Sequence, residues 1–232
     1  MTGTPPRTRA QAIATGRDGQ HTLAVPRALR LAARIQERPL DEFFTDPTQL
    51  ANGLTELIEA VHPDGVVVTE PDVLEEEITS TTELATSPRI STAVEATHRL
   101  RNTSGDTIAL VALLPGPARI AAHTGDQEGA AEIAQTLVQT FLGAGLDAAV
   151  LVEHRDADVA AHQDPLRTIA NMARFHRALT HLLGAPSSVL PAPSVVPLDL
   201  PQPAAGLVLT DGDLPTDTDI TLVQDWVAAV SS

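Results

Sequence analysis

The chain contains no cysteine and no tyrosine, and all 15 of its basic residues are arginine rather than lysine. Without cysteine, disulfides, iron–sulfur clusters, thiolate zinc sites and cysteine nucleophiles are excluded, so any metal would rest on histidine and carboxylates. Positive charge is scarce: 15 basic residues face 30 acidic ones, for a formal net charge of -15. Such a surface repels a phosphate backbone, and no nucleic-acid partner is expected. No apolar run approaches the roughly 18 residues of a membrane span, and the opening MTGTPPRTRAQAIATG lacks the apolar core of a signal peptide. The expectation is a cytoplasmic protein with no membrane partner. Arginine without lysine, beside the acidic excess, suits the salt-rich cytosol of a halophilic microbe, where ionic strength screens repulsion among carboxylates. The plainer alternative is an acidic protein from a GC-rich genome.

What is present is a core. Of 232 residues, 43% are hydrophobic, enough to fill one sizeable domain, and residues 1–232 are read as one. Short β-branched or aliphatic runs alternate with helical spacing. Thr22–Val25 is a short apolar run, and Arg27–Gln36 follows with helical periodicity. Asp46-Pro47 opens a helix, Asp46 as N-cap and Pro47 at its first position, with Leu50, Leu54, Leu57, Ile58 and Val61 on one face. The run Asp64-Gly65-Val66-Val67-Val68 and Thr107–Leu114 read as apolar on both faces, as buried parallel strands are. Ser91–Leu100 is a predicted helix and Asn102–Asp106 a turn. Glu128–Leu142 is an amphipathic helix stopping at Gly143 and Gly145, and Ala148–Val152 is a third buried strand. Pro165–Leu183 is read as one helix ending at Gly184. Val195–Leu198 and Gly206–Leu209 are shorter strand candidates before a last helix near Ile220–Val230. Repeated strand, loop and helix means parallel strands with right-handed crossovers, an α/β fold. With about six strand candidates, an eight-stranded barrel would be minimal or incomplete.

In such folds the active surface lies at the carboxyl ends of the strands. Three loops then bring Glu70, Asp72, Arg119, His123, Glu153, His154 and Arg155 to one rim. Carboxylates beside histidines suit proton transfer or a divalent metal, because both need groups that titrate near neutrality or donate lone pairs. A solvated polar rim is the alternative. Glu75-Glu76-Glu77 reads as a solvated helix face, and His176 and His181, five apart on the expected helix, diverge around its axis. No Gly-x-Ser-x-Gly elbow, Walker motif or His-Glu-x-x-His is present.

Five stretches in order carry a family resemblance. Ile13–Leu31 (IATGRDGQHTLAVPRALRL), Phe43-Phe44-Thr45-Asp46-Pro47 and Val61-His62-Pro63-Asp64-Gly65-Val66-Val67-Val68 resemble the amino-terminal half of the uroporphyrinogen decarboxylase superfamily. Leu114–Ala121 looks like that family's Gly-Pro turn, and Gly143–Leu151 is similar to its Ala-Gly-Ala-Asp-Ala strand entry. The superfamily, which includes corrinoid methyltransferases and the cobalamin-independent methionine synthase core, implies a TIM barrel. Its decarboxylases require no cofactor and hold substrate carboxylates with arginines, which Arg30 and Arg34 resemble through Arg30-Leu31-Ala32-Ala33-Arg34. Departures are equally specific. The pyrrole-binding aspartate falls on Pro71, flanked by Glu70 and Asp72, a family tyrosine falls on His123, and a serine falls on His154 beside Glu153. The methyltransferase zinc set of one His and two Cys has no cysteine here.

The resulting expectation is a shortened barrel of the lyase (decarboxylase) or methyltransferase class acting on a small acidic molecule. His123, His154, Glu70 and Glu153 are the catalytic candidates; Arg30, Arg34, Asp72, Arg119 and Arg155 are the substrate-binding ones. The alternatives are a C1-transfer relative with a divalent metal on His and Glu, and a non-catalytic partner subunit. An absent strand leaves an edge to be covered, so a homodimer or a partner protein is expected.

Overall fold

The computed structural model describes residues 4–16, 21–78 and 84–231. In chain order the elements are α1 (Pro6–Ala14), β1 (Thr22–Val25), α2 (Leu29–Ile35), α3 (Leu40–Phe43), α4 (Pro47–Val61), β2 (Gly65–Thr69), α5 (Pro71–Leu74), α6 (Pro88–Ser104), β3 (Ala109–Pro115) and α7 (Pro117–Thr124). There follow α8 (Gly129–Gly143), β4 (Ala148–Val152), α9 (Gln163–His176), β5 (Leu179–Leu183), β6 (Ser194–Val195), β7 (Gly206–Leu209) and α10 (Ile220–Val230). Every strand pairing is parallel, in two sheets of order β2-β3-β4-β5 and β1-β7-β6. Backbone bonds join the neighbouring edges: Asp64 N–H, just before β2, donates to Ala24 O of β1 at 3.0 Å, and Leu182 N–H of β5 to Pro191 O in the loop before β6 at 2.9 Å. The architecture is α/β with parallel sheets, consistent with a barrel-like fold, and among the described residues the two sheets do not join into a closed barrel.

Alternation along each strand explains how one chain fills two cores. Leu110, Ala112 and Leu114 of β3 join Val66, Val68, Ala149, Leu151 and Val208 in the layer packed against the helices. Ala109, Val111 and Leu113 point the other way, into a second buried cluster with Leu23, Val25, Val67, Val150, Leu179, Leu207 and Leu209. Strands of both sheets thus wrap one interior. Its amino-terminal end is covered by α1, whose Ala10, Ile13 and Ala14 pack on that cluster. Arg9 of α1 pairs with Asp64 and donates to Thr22 O at 2.8 Å, while Arg7 meets Asp147 at 3.3 Å. Asp147 also accepts from Leu110 N–H at 2.9 Å and pairs with Arg101. These carboxylates pin strand beginnings, away from the strands' carboxyl ends.

Local signals explain the helices. Asp46 accepts from Thr48 N–H at 2.7 Å and Gln49 N–H at 3.2 Å, and Pro47 needs no partner at the first helical position, so α4 starts as the Asp46-Pro47 signal predicts. Trp226 of α10 is fully buried, its indole N–H donating to Val196 O at 3.1 Å.

Several expectations are corrected. The stretch Pro165–Leu183 is not one helix: α9 ends at His176, Arg177 turns the chain in the left-handed region at φ 57, and β5 follows. His176 and His181 therefore share no helix. Asn102 is not in a turn but inside α6, which runs to Ser104. Glu75–Glu77 form one short 3-10 helical turn in which Glu76 is exposed, as expected of a solvated face, while the half-buried Glu75 pairs with Arg119 and Glu76 reaches Arg89. Of Val195–Leu198 only Val195 is in a strand, because only Ser194 and Val195 pair with β7. No helix lies between β5 and β6 or between β6 and β7. Among the described residues no helix is long and apolar enough to cross a membrane.

Candidate functional site

Beyond the carboxyl ends of β1, β2 and β7 lies a cavity of about 340 Å³, lined by Arg27, Arg30, Glu70, Asp72, Arg119, Val152, Asp213 and Pro71. Its floor is an ion pair. Arg27 follows β1 and Glu70 follows β2, so the neighbouring strand ends bring them together. The guanidinium grips the carboxylate with Nε at 2.9 Å from Oε1 and Nη2 at 2.6 Å from Oε2. Glu70 is 1% exposed. Burial pushes its carboxyl above the usual range, and the Arg27 hydrogen bonds and charge oppose that rise.

Asp213 forms the second wall. It lies in the loop after β7, where its Oδ1 accepts from Leu29 N–H at 2.9 Å and its Oδ2 lies 3.2 Å from Arg30 Nε. It thereby caps the start of α2 from outside the helix. Burial, reinforced by the Glu70 charge, raises its carboxyl to about 7 despite these donors. At neutral pH this is a carboxyl that still holds a proton for part of the time. Arg30 also reaches Asp72 at 3.0 Å, and these two side chains are 46% and 55% exposed, so their pair is the loosest in the cavity.

Glu153, at the end of β4, is buried and turned toward α7. It accepts from Ala118 N–H at 3.1 Å and Arg119 N–H at 2.7 Å, the free donors at that helix's start. Burial raises its carboxyl, and the two N–H groups act against that rise. Gly116 makes room for it: a Cβ there would lie 2.2 Å from Glu153 Oε1. The Arg119 guanidinium holds Glu75, with Nη2 2.9 Å from Oε2. On the far side of α7 a second cavity of about 400 Å³ is lined by His154, Asp156, Asp158, Gln127 and the buried His162.

Of the residues singled out from sequence, the fold gathers Arg30, Glu70, Asp72 and Arg119 around one cavity. His154 faces the neighbouring one, and Glu153 lies buried against α7. His123 is exposed on the last turn of α7, and Arg155 is exposed without an ion pair among the described residues. Arg34 is exposed on α2 and donates to Thr218 O at 3.1 Å. Sequence reasoning did not select Arg27, Asp213 or His162. The first two stand directly after the apolar runs Thr22–Val25 and Gly206–Leu209, so the strand-end rule applied to those runs finds them. Among the described residues, no three His, Asp or Glu side chains converge into a set that could hold a metal ion.

No known sequence family matches the chain, and no curated protein does either. Among solved structures it is similar to a methyltransferase from Methanosarcina mazei, with a TM-score of 0.70 and 15% sequence identity, over 98% of each chain. At that identity the likeness speaks for a shared fold.

Proposed function

We propose that the chain is an acid–base enzyme of the decarboxylase or lyase class, acting on a small carboxylic acid in the cavity at the strand ends. Arg30 anchors the substrate carboxylate and Asp213 donates the proton. The observation that carries this reading is the place of Asp213, half-buried on the wall of a cavity that also holds a partly exposed arginine, where desolvation and the Glu70 charge raise its carboxyl to about 7. The Arg30–Asp72 pair is exposed, so a substrate carboxylate can take Asp72's place at a penalty of about 1 kcal/mol or less. Arg27, locked on buried Glu70, is not available in the same way.

Charge narrows the substrate. Each cavity arginine already holds a carboxylate: Arg27 on Glu70, Arg30 on Asp72 and Asp213, Arg119 on Glu75. A tetrapyrrole with many carboxylates has no cationic floor to meet, and a mono- or dicarboxylic acid fits better. The absence of lysine excludes a lysine Schiff base, and in this reading the electron pair left when the carbon–carboxylate bond breaks is delocalised within the substrate. Carbon dioxide leaves, the carbanion takes the Asp213 proton, and water restores it.

The neighbour's activity favours a second reading, methyl transfer. The zinc set that the resemblance implies for that branch needs two cysteines, and no alternative three-ligand cluster exists among the described residues. The residues present do not fit that metal, and no step is assigned to it.

The test is a panel of small mono- and dicarboxylic acids incubated in deuterated buffer, followed by NMR for carbon dioxide release and deuterium in the product. Arg30→Gln should raise KM with little change in kcat, Asp213→Asn should lower kcat by about a hundredfold or more, and the rate should fall above about pH 7 as Asp213 loses its proton. Unchanged turnover in Asp213→Asn, or no turnover of any acid by the intact chain, would overturn the reading.

A further inference from the structure

The loop after β7 stands between two cavities. Asp213 lines the strand-end cavity and also a neighbouring one of about 430 Å³, and it is the residue that the two linings share. The loop is tied down from the strand-end side. Thr210 Oγ1 accepts from Arg27 N–H at 3.0 Å, Asp213 Oδ1 accepts from Leu29 N–H at 2.9 Å, and Leu214 N–H donates to Arg27 O at 2.6 Å. The two cavities differ in chemistry. The first holds Arg30, whereas the second is walled by Leu198, Leu214, Pro215 and Leu222, with Asp199 and Asp211 on its rim and no basic residue in its lining. Leu222, on α10, is 54% exposed, and Leu198 is half-buried. Exposed apolar side chains gathered around a concavity mark a ligand surface, and the volume falls within the range of about 300–1,000 Å³ for small-molecule sites.

We propose that the second cavity holds the apolar body of the substrate, so that the substrate class narrows to monocarboxylic acids with an apolar extension. The proposal rests on the acid–base reading of the strand-end site and deepens it. Spatial order supports it. Arg30 Nε lies 3.2 Å from Asp213 Oδ2, and Asp213 in turn adjoins the leucines. A carboxylate held by Arg30 sets the carbon that bears it beside Asp213, where the proton is delivered, and the rest of the acid continues past Asp213 into the apolar wall. There it covers Leu198 and Leu222 and removes their surface from water. A second carboxylate at the far end would meet Asp199 and Asp211 with no cation to offset them, so a dicarboxylic acid of the same length is disfavoured.

The probes are butanoate, hexanoate, octanoate and octanedioate, titrated into the intact chain by calorimetry, with turnover of the carboxylic-acid panel followed separately. Affinity is expected to rise about twofold to fourfold per added methylene from butanoate to octanoate, and octanedioate should bind at least about tenfold more weakly than octanoate. Leu222→Gln, at a half-exposed position that accepts a polar side chain, should flatten the chain-length series while leaving butanoate within about twofold of wild type. Arg30→Gln should weaken all three monocarboxylates by a common factor and keep the slope. A flat series in the wild type, equal binding of octanoate and octanedioate, or an undiminished slope in Leu222→Gln would each overturn the proposal. A rising series without turnover of any acid would remove the reaction and support the apolar site, whereas turnover with a flat series would overturn the apolar site and leave the reaction standing.

Discussion

Replacing Arg27 by methionine should separate the ion pair at the cavity floor from ordinary packing. Arg27 fills its place with 15% of its side chain exposed, and methionine keeps much of the stem while removing both bonds to Glu70. Glu70 is then a carboxylate at 1% exposure without its hydrogen-bonded counter-charge, with only the more distant Arg30 charge acting on it. Breaking a buried pair on one side costs about 3–5 kcal/mol, which for a chain of this size lowers the melting temperature by roughly 10 °C. The loss must depend on pH. With the arginine gone, burial lifts Glu70 still further above its ordinary 4.5. Above 4.5 the folded variant then retains a proton that the unfolded chain releases, so its stability declines as pH rises through that window and levels off above the folded pKa. Near pH 4.5 the deficit against wild type should shrink. Adding Glu70→Leu should recover most of the loss, because two apolar side chains leave no buried charge. Urea unfolding of wild type, both single variants and the double at about pH 4.5 and pH 8 gives the cycle. A deficit below about 1 kcal/mol at pH 8, or one equal at both pH values, would refute the reasoning.

Gly184→Ala should be more damaging than its size suggests: Gly184 sits at φ +98, and a Cβ would lie 2.0 Å from the Glu153 carbonyl oxygen. A loss of at least about 3 kcal/mol in chemical unfolding is expected, and a change within about 0.5 kcal/mol would contradict it. If the acidic, lysine-free composition is an adaptation to salt, the melting midpoint should climb from about 0.1 M to about 3 M KCl as the screening length falls from about 10 Å to below about 3 Å. A flat midpoint would remove that explanation.

The first four strands were legible because each is an apolar run bounded by turn residues, and the Asp46-Pro47 cap was legible because its chemistry is local. β5 was not. Leu179–Leu183 follows α9 with neither glycine nor proline between them, and the left-handed turn that separates the two is made by Arg177, a residue with no such preference. The site was partly legible for a related reason. Glu70, Asp72 and Arg119 lie beyond the long buried strands, whereas Arg27 and Asp213 lie beyond the short β1 and β7, whose pairing across the chain's two ends no local pattern announces. His154 and Glu153 are adjacent in sequence yet diverge, Glu153 turned in against α7 and His154 out toward the second cavity. Both lie just past the end of β4, where the chain has left the strand, so their adjacency in sequence does not carry over to one surface.

Acid catalysis at the strand ends requires a carboxyl that keeps its proton near neutral pH, and the most direct measurement is a ¹³C NMR titration of the Asp213 carboxyl in the intact chain. A midpoint near 7, brought about by burial and the Glu70 charge, is expected. It should shift when a carboxylic acid that the protein turns over is added and Arg30 is drawn onto it. A midpoint at its ordinary 3.8, unmoved by any such acid, would contradict the assignment of Asp213 as the proton donor.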